Sequence, residues 1–435
     1  VTPAARISAA IDLLAAVDAA PRRPADATAN AFFRDRRYIG SGDRRAVSDR
    51  TWRVIRARRR LRWWGGTTPR SLVAASLLLE GWAWEAVNRT FSGGQFAPSN
   101  LTPDERRALQ PLEGHTLDHP DMPEAVRYEV PDWVLPSLRA RFGPDLPAEM
   151  AALSEPAPLD LRVNLLKATR EEAVAALAAE GIAAEPTPLS PCGLRVAART
   201  LVTSGPAFQS GTVEIQDEGS QLVAAITDAR PGMRVADWCA GAGGKTLALA
   251  TSMQNRGHIA ACDVSAPRLD AAVKRLRRAG VHNVESHLVT EGDKWRKRRA
   301  GTFDRVLVDA PCTGAGTWRR NPDARSRLTE QDLAELLVKQ AHILVNAATL
   351  VRTGGRLVYA TCSLLPEENE QQVSRFLENH PEFSPIAPRQ AWPDAPDAAA
   401  FASPDWLRLT PLRDGTDGFF AAVLERRAAA QEPAA

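Results

Sequence analysis

Met233-Arg-Val-Ala-Asp237-Trp-Cys-Ala-Gly241-Ala-Gly243-Gly244-Lys245-Thr246 reads as an apolar strand, an acid at its end, a glycine-rich turn and a helix start. Glycines let the backbone approach a ligand closely, and a helix start offers free N–H donors to an anionic group. Asp263 closes the next apolar stretch, twenty residues after Gly243, where an acid accepts hydrogen bonds from ribose hydroxyls. The dinucleotide fingerprint G-x-G-x-x-G is not matched. Gly-Gly-Lys-Thr is no Walker loop either, because position 239 is Cys where that motif needs Gly. A Gly-rich turn plus a later Asp leaves a nicotinamide cofactor and S-adenosylmethionine both open. Asp237 directly before the glycines, without the dinucleotide fingerprint, favours the second.

Working outward, apolar strand cores recur at Met233–Ala236, Ile259–Ala261, Val284–Leu288, Val306–Val308 and Leu357–Ala360. Helical segments separate them, at Lys245–Met253, Pro267–Ala279, Glu330–Val351 and Pro366–Asn379. This alternation predicts a doubly wound, Rossmann-like α/β domain over residues 216–428, with its chemistry just beyond the strand ends. Upstream, a small α+β module is expected over 128–215. It comprises a helix at Trp133–Phe142, strands at Leu159–Asn164 and Leu194–Val196, and a Thr169-capped helix to Glu180. Residues 1–127 read as all-α: Ile7, Ala10, Ile11, Leu14 and Val17 recur at helical spacing. Loops are expected at Ser92–Pro98 and Pro111–Pro123, and the first boundary near Pro123–Val130.

Composition sets outer bounds. A chain of 435 residues exceeds one ordinary core, so several domains are expected. No apolar run is long enough to span a membrane, and Val1 to Ala20 lack the pattern of a secretion signal. Five scattered cysteines without a C-x-x-C pair point to reduced thiols in the cytoplasm and to no zinc site. Net charge is only +3, yet residues 1–70 carry 16 Arg, no Lys and 6 Asp. A phosphate-rich partner and a merely solvated helix face explain that stretch about equally well.

Two strand ends carry thiols: Asp309-Ala-Pro-Cys312 after the fourth core, and Ala360-Thr-Cys362-Ser363 after the fifth. Parallel strands bring such ends side by side. Carbon 5 of cytosine is a poor nucleophile, but a thiolate added to carbon 6 makes it enamine-like and able to take a methyl group. An acid near N3, a place suited to Asp309, stabilises the adduct. Direct methylation of an exocyclic amine has no use for a thiol. Cys192, Cys262 and largely Cys239 read as small buried hydrophobes.

Residues 128–426 resemble the RsmB/Nop/Sun family of RNA cytosine-5 methyltransferases. The resemblance rests on Leu161-Arg-Val-Asn164, Gln216-Asp-Glu218, Gln221, the Asp237–Thr246 loop, Asp263, Asp309-Ala-Pro-Cys312, Tyr359-Ala-Thr-Cys-Ser363, Pro366-Glu-Glu-Asn369 and Asp417-Gly-Phe-Phe420. Residues 1–125 look like the NusB-like, RNA-binding domain of the RsmB branch. The resemblance implies Cys362 as nucleophile and Cys312 as the residue that assists release. It places Asp309 and Lys245 between base and cofactor. S-adenosylmethionine is then held by Cys239, Ala240, Gly241, Ala242, Gly243, Gly244 and Lys245, with Asp263, Asp293 and Asp309. Gly241-Ala242 stand where the family usually has Ala-Pro, which implies a more flexible loop. The implied partner is RNA, ribosomal above all, met by a monomer with no membrane involved. Alternatives are the same chemistry on transfer RNA, a non-catalytic RNA-binding factor and a nicotinamide oxidoreductase. Arg319, Arg320, Arg325 and Arg327 are expected to meet phosphates near the target.

Overall fold

The computed structural model describes residues 2–197 and 200–427, so the expected domain end at 428 lies just outside the described residues. The chain divides into two compact units, Val1–Ser154 with Arg320–Thr329, and Glu155–Arg319 with Glu330–Ala435.

The first unit is helical. Its opening helix, Pro3–Ala19, starts at Thr2, whose side chain accepts from the N–H of Ala5, and it buries Ile7, Ala10, Leu13, Leu14 and Val17. That is the expected face, with Leu13 in place of the partly buried Ile11. The helix Pro69–Leu79 is buried from Ser71 through Leu79, so it forms the middle of the unit rather than a wall. Two short helices also belong to this unit: Leu135–Phe142, which the sequence reading placed at Trp133–Phe142 in the following module, and Leu146–Ser154, which it did not name. Buried Glu129 shows one reason: it accepts from the backbone N–H of Arg59 (2.8 Å) and Arg60 (3.0 Å).

The second unit contains two sheets. β1 (Leu159–Val163), β2 (Ala184–Pro186), β3 (Gly193–Val196) and β4 (Val213–Ile215) form a small antiparallel sheet in the order β2-β3-β1-β4. The helix Arg170–Ala179 sets Ala173 and Leu177 into its core, and its capping box joins Thr169 and Glu172.

The large sheet holds β5 (Arg234–Asp237), β6 (His258–Asp263), β7 (Val284–Leu288), β8 (Phe303–Asp309), β9 (Val351–Thr361), β10 (Phe383–Ile386), β11 (Leu407–Leu409) and β12 (Phe419–Arg426). Its order is β10-β12-β9-β8-β5-β6-β7, with β11 against β12. β5 to β9 are parallel, and β12 runs antiparallel to β9. Val235, Ala236, Val306 to Val308 and Leu357 to Ala360 are fully buried, as strands covered on both faces require. The chain leaves β5 toward β6 and β7, then returns to its other side for β8 and β9. That reversal opens a crevice beyond the carboxyl ends of β5 and β8, where Asp237 and Asp309 stand. The parallel strands match expectation. The antiparallel edge and two of the small strands were not foreseen. Among the described residues no helix is long and apolar enough to cross a membrane.

Candidate active site beyond the parallel strands

Asp237 ends β5 wholly buried. Thr246 Oγ1 donates to its Oδ2 at 2.7 Å, while Oδ1 has no hydrogen-bond partner among the described residues. Burial pushes its carboxyl up to about 7; the Thr246 bond opposes the shift, and Asp309 and Asp263 add to it. Gly243 caps the helix Gly244–Ser252 in the left-handed region, with φ of 79°. A Cβ there would come within 2.9 Å of Ala272 Cβ, so glycine lets two helices meet. Asp263 ties the loop to β6: its oxygens accept from the N–H of Gly241 and of Ser265, each at 2.8 Å. The loop from Cys239 to Lys245 and Asp263 therefore come together as expected. Asp293 is different. It accepts from the N–H of Trp295 at 2.7 Å and pairs with His287, bonds that hold its carboxyl below the usual range. No hydrogen bond joins it to the glycine loop among the described residues.

β8 and β9 run in parallel register, with Asp309 opposite Ala360, so their loops leave side by side. Cys312 Sγ and Cys362 Sγ lie 3.4 Å apart. Lys245 Nζ donates to Asp309 Oδ2 at 2.5 Å. Burial alone would lower the Lys245 ammonium, but the Asp309 charge and hydrogen bond outweigh it and raise it, with Cys362 adding. The Phe419 ring lies 5.6 Å from the same nitrogen. The Cys312 thiol is pushed far up, first by its hydrogen bond with Cys362 and then by burial. Burial also raises Cys239 and Cys262, in keeping with their reading as inert hydrophobes.

The thiol loops are clamped by residues that the sequence marked without a role. Fully buried Glu368 accepts from the N–H of Thr313 (2.9 Å), from Thr313 Oγ1 (2.5 Å) and from Gln340 Nε2 (2.9 Å). It thereby fixes the residue after Cys312. Asn369 does the same around Cys362: it accepts from Thr361 Oγ1 at 2.5 Å and donates to the Ser363 carbonyl at 2.9 Å. Gly316 N–H donates to the Cys362 carbonyl at 2.9 Å, which joins the two loops directly. The signal was an acid and an amide shortly after a thiol-bearing strand end.

Other motif residues join the small sheet to the large one. Arg162 donates to the Gly244 carbonyl at 2.8 Å, at the first residue of the cofactor-side helix. Asn164 donates to the Ala279 carbonyl at 2.8 Å. Two arginines expected on phosphates are structural instead. Arg319 is buried and bonds Asp417 Oδ1 at 2.5 Å, and Arg325 is buried and donates to the Leu153 carbonyl. An arginine in a loop looks the same in sequence whether its head is wet or buried.

These residues suit a cofactor with a ribose and an amino-acid tail. Asp263 keeps acceptor capacity beside its two N–H bonds, and Asp237 has a bare buried oxygen. The first turn of the helix Gly244–Ser252 offers N–H groups without intrahelical partners to a carboxylate. The family model described as 16S rRNA methyltransferase RsmB/F matches residues 224–425, and a ferredoxin-like domain model of RsmF/B-like methyltransferases matches residues 130–203. The chain is 34% identical over 315 residues to a Synechocystis sp. protein named "probable ribosomal RNA small subunit methyltransferase B", covering 71% of this chain and 70% of that one. The crystal structure of PH0851 superposes with a TM-score of 0.76 at 25% identity, over 98% of this chain and 99% of that chain. A methyltransferase homolog from Pyrococcus horikoshii follows at 0.60 and 29%, over 70% and 97%. Identity of 34% across more than two thirds of both chains, on a shared fold, marks common descent: the chain belongs to the RsmB/F family of S-adenosylmethionine-dependent methyltransferases.

Proposed function

We propose that this methyltransferase forms 5-methylcytosine in small-subunit ribosomal RNA through a transient bond between Cys362 and carbon 6 of the base. The observation that carries the reading is the pair of thiols 3.4 Å apart at neighbouring strand ends, beside the Lys245–Asp309 pair. Bound S-adenosylmethionine supplies a methyl group on a positively charged sulfur, held by the 239–245 loop and Asp263. Asp293 joins this set only through a contact that its present bonds do not provide.

Two thiols this close do not both ionise readily, since like charges disfavour each other. Cys312 retains its proton, so the attacking sulfur is that of Cys362. The Lys245 ammonium, held charged by Asp309, favours a neighbouring thiolate. The Cys362 sulfur adds to carbon 6, and the ring electrons shift toward carbon 5 and N3. Asp309, one third exposed, steadies the N3 side by a hydrogen bond, with its shared Lys245 proton close by. Carbon 5 takes the methyl group. Once Cys362 is bonded, Cys312 no longer faces an anionic sulfur; it gives its own proton to solvent and, now a thiolate, takes the carbon 5 proton. Cys362 leaves with its electron pair, and one proton is released for each methyl transferred.

Ribosomal RNA is preferred to transfer RNA because relatives of this chain carry ribosomal names. The target cytosine is single-stranded or flipped out, since carbon 6 is closed to a thiol within a stacked duplex. The protein acts in the cytoplasm as a monomer. Residues 1–127 serve as a NusB-like RNA-binding domain, with 128–154 grouped in the same helical unit; the small sheet up to residue 215 serves as an RNA-recognition module and the chain from 216 as the catalytic domain. Mapping 5-methylcytosine in a deletion strain tests the substrate. The proposal expects loss of a site in small-subunit ribosomal RNA, and loss confined to transfer RNA would overturn it.

A further inference from the structure

Most arginines between 44 and 62 are engaged within the helical unit. Arg50 and Arg53 reach Glu80, Arg58 pairs with Asp18, Arg59 with Asp132, and Arg60 with Asp118 and Glu129. The Arg62 guanidinium is exposed and has no hydrogen bond or ion pair among the described residues. It lines a cavity of about 280 Å³ together with Arg23, Arg58, Arg327, Asp18 and Asp323.

The charges around this cavity do not cancel. Asp18 is taken by Arg58. Asp323 is taken by Arg327 at 2.9 Å, and the same oxygen accepts the N–H of Ala25 at 3.1 Å. Arg23 donates only to the Ala27 carbonyl, at 3.1 Å, and meets no acid among the described residues. Two guanidinium charges therefore face the cavity uncompensated, and both acids are already committed. The cleft is roomy enough for a phosphate group, and its surplus of guanidinium charge selects an anion.

We infer that this cleft, built on Arg23 and Arg62 and framed by the Arg58–Asp18 and Arg327–Asp323 pairs, binds a backbone phosphate of the substrate RNA. It rests on the reading of RNA as substrate. It adds a docking point in the helical unit, separate from the base-binding residues. Such phosphate binding carries no sequence information; it fixes register and adds affinity.

The test is binding of deproteinised small-subunit ribosomal RNA to the full chain across about 50 to 200 mM salt. The comparison is among wild type, the double variant Arg23→Ala/Arg62→Ala, the double variant Arg23→Lys/Arg62→Lys, and Arg45→Ala. Arg45 is exposed and lies outside the cleft. Each phosphate that the protein ceases to neutralise lowers the salt slope by about one. For each such phosphate, wild-type affinity should therefore fall roughly three- to fourfold more than the alanine variant's over that range. The lysine variant should retain most of the slope, and Arg45→Ala should match wild type. Both cleft arginines are exposed, so the fold should persist, as far-UV circular dichroism checks. An alanine variant with the wild-type slope, or one no different from Arg45→Ala, overturns the inference. If wild type itself neither binds nor methylates this RNA, the reading of the substrate fails instead.

Discussion

Asp237 is the residue whose titration is displaced furthest toward neutrality, from 3.8 to about 7, because it is fully buried with one oxygen unpartnered. The folded chain then holds this proton more tightly than the unfolded chain. Its contribution to stability is full below the ordinary value and is lost as pH rises toward 7. Asp237→Asn keeps an acceptor for Thr246 and has no such dependence. In the absence of cofactor the variant should gain on wild type between about pH 4 and 8, by up to roughly 4 kcal/mol. Urea unfolding at both ends of that range measures it, and an unchanged gap would refute the assignment. At this scale the nearness of the two thiols, Asp309 and Asp263 to one sheet edge was legible, because parallel strands turn residues distant in sequence into neighbours there; Lys245, on the helix after β5, was reached only through the family resemblance. Glu368 and Asn369 were not, since their work is to accept hydrogen bonds from loops that only the folded sheet brings near. Nor was the commitment of Asp293 to Trp295 and His287, a local turn with no signature in spacing.

The elements supporting the thiols make the next expectations. Glu368→Ala leaves Thr313 and Gln340 with buried donors lacking an acceptor, at a cost of about 3 kcal/mol. Glu368→Gln preserves most of the geometry and should lose less. Thermal unfolding ranks the two, and equal losses would contradict the clamp. Gly316 and Gly418 pack backbone to backbone: a Cβ on Gly316 would stand 2.1 Å from the Gly418 carbonyl oxygen. Gly316→Ala should therefore destabilise by about 3 kcal/mol or more, read as a lower melting temperature and soluble yield. A wild-type melting temperature would show that the loops separate easily. β5, β6, β8 and β9 were visible as apolar runs because both faces of a parallel sheet are covered, whereas β7 (Val-Glu-Ser-His-Leu) is a largely exposed edge strand. β12 was not visible: Phe419–Arg426 is rich in Ala, Leu, Glu and Arg, which suit a helix equally. β4, at three residues, is too short to show a period.

At the scale of the whole molecule, the chain passes from the catalytic unit into the helical one and back within the loop after Cys312. Residues 320–329 pack in the helical unit through Asp323 on Ala25, and through Arg325 on Leu153 and Ser154. Composition showed that several domains exist, but not that a ten-residue excursion belongs to the first. Arg325→Ala should destabilise the helical unit by about 3 kcal/mol, because removing a buried guanidinium leaves its acceptors unmatched. Hydrogen exchange should quicken in 320–329 and 146–154; unchanged exchange in both would refute that role.

The central claim is the chemistry of Cys362 and Cys312 on a cytosine, and trapping tests it most directly. Cys312→Ala, incubated with S-adenosylmethionine and deproteinised small-subunit ribosomal RNA, should accumulate a protein–RNA adduct that survives denaturing electrophoresis. Adding Cys362→Ala to it should abolish the adduct. Normal turnover by Cys312→Ala without an adduct, or an adduct that persists without Cys362, would contradict the account.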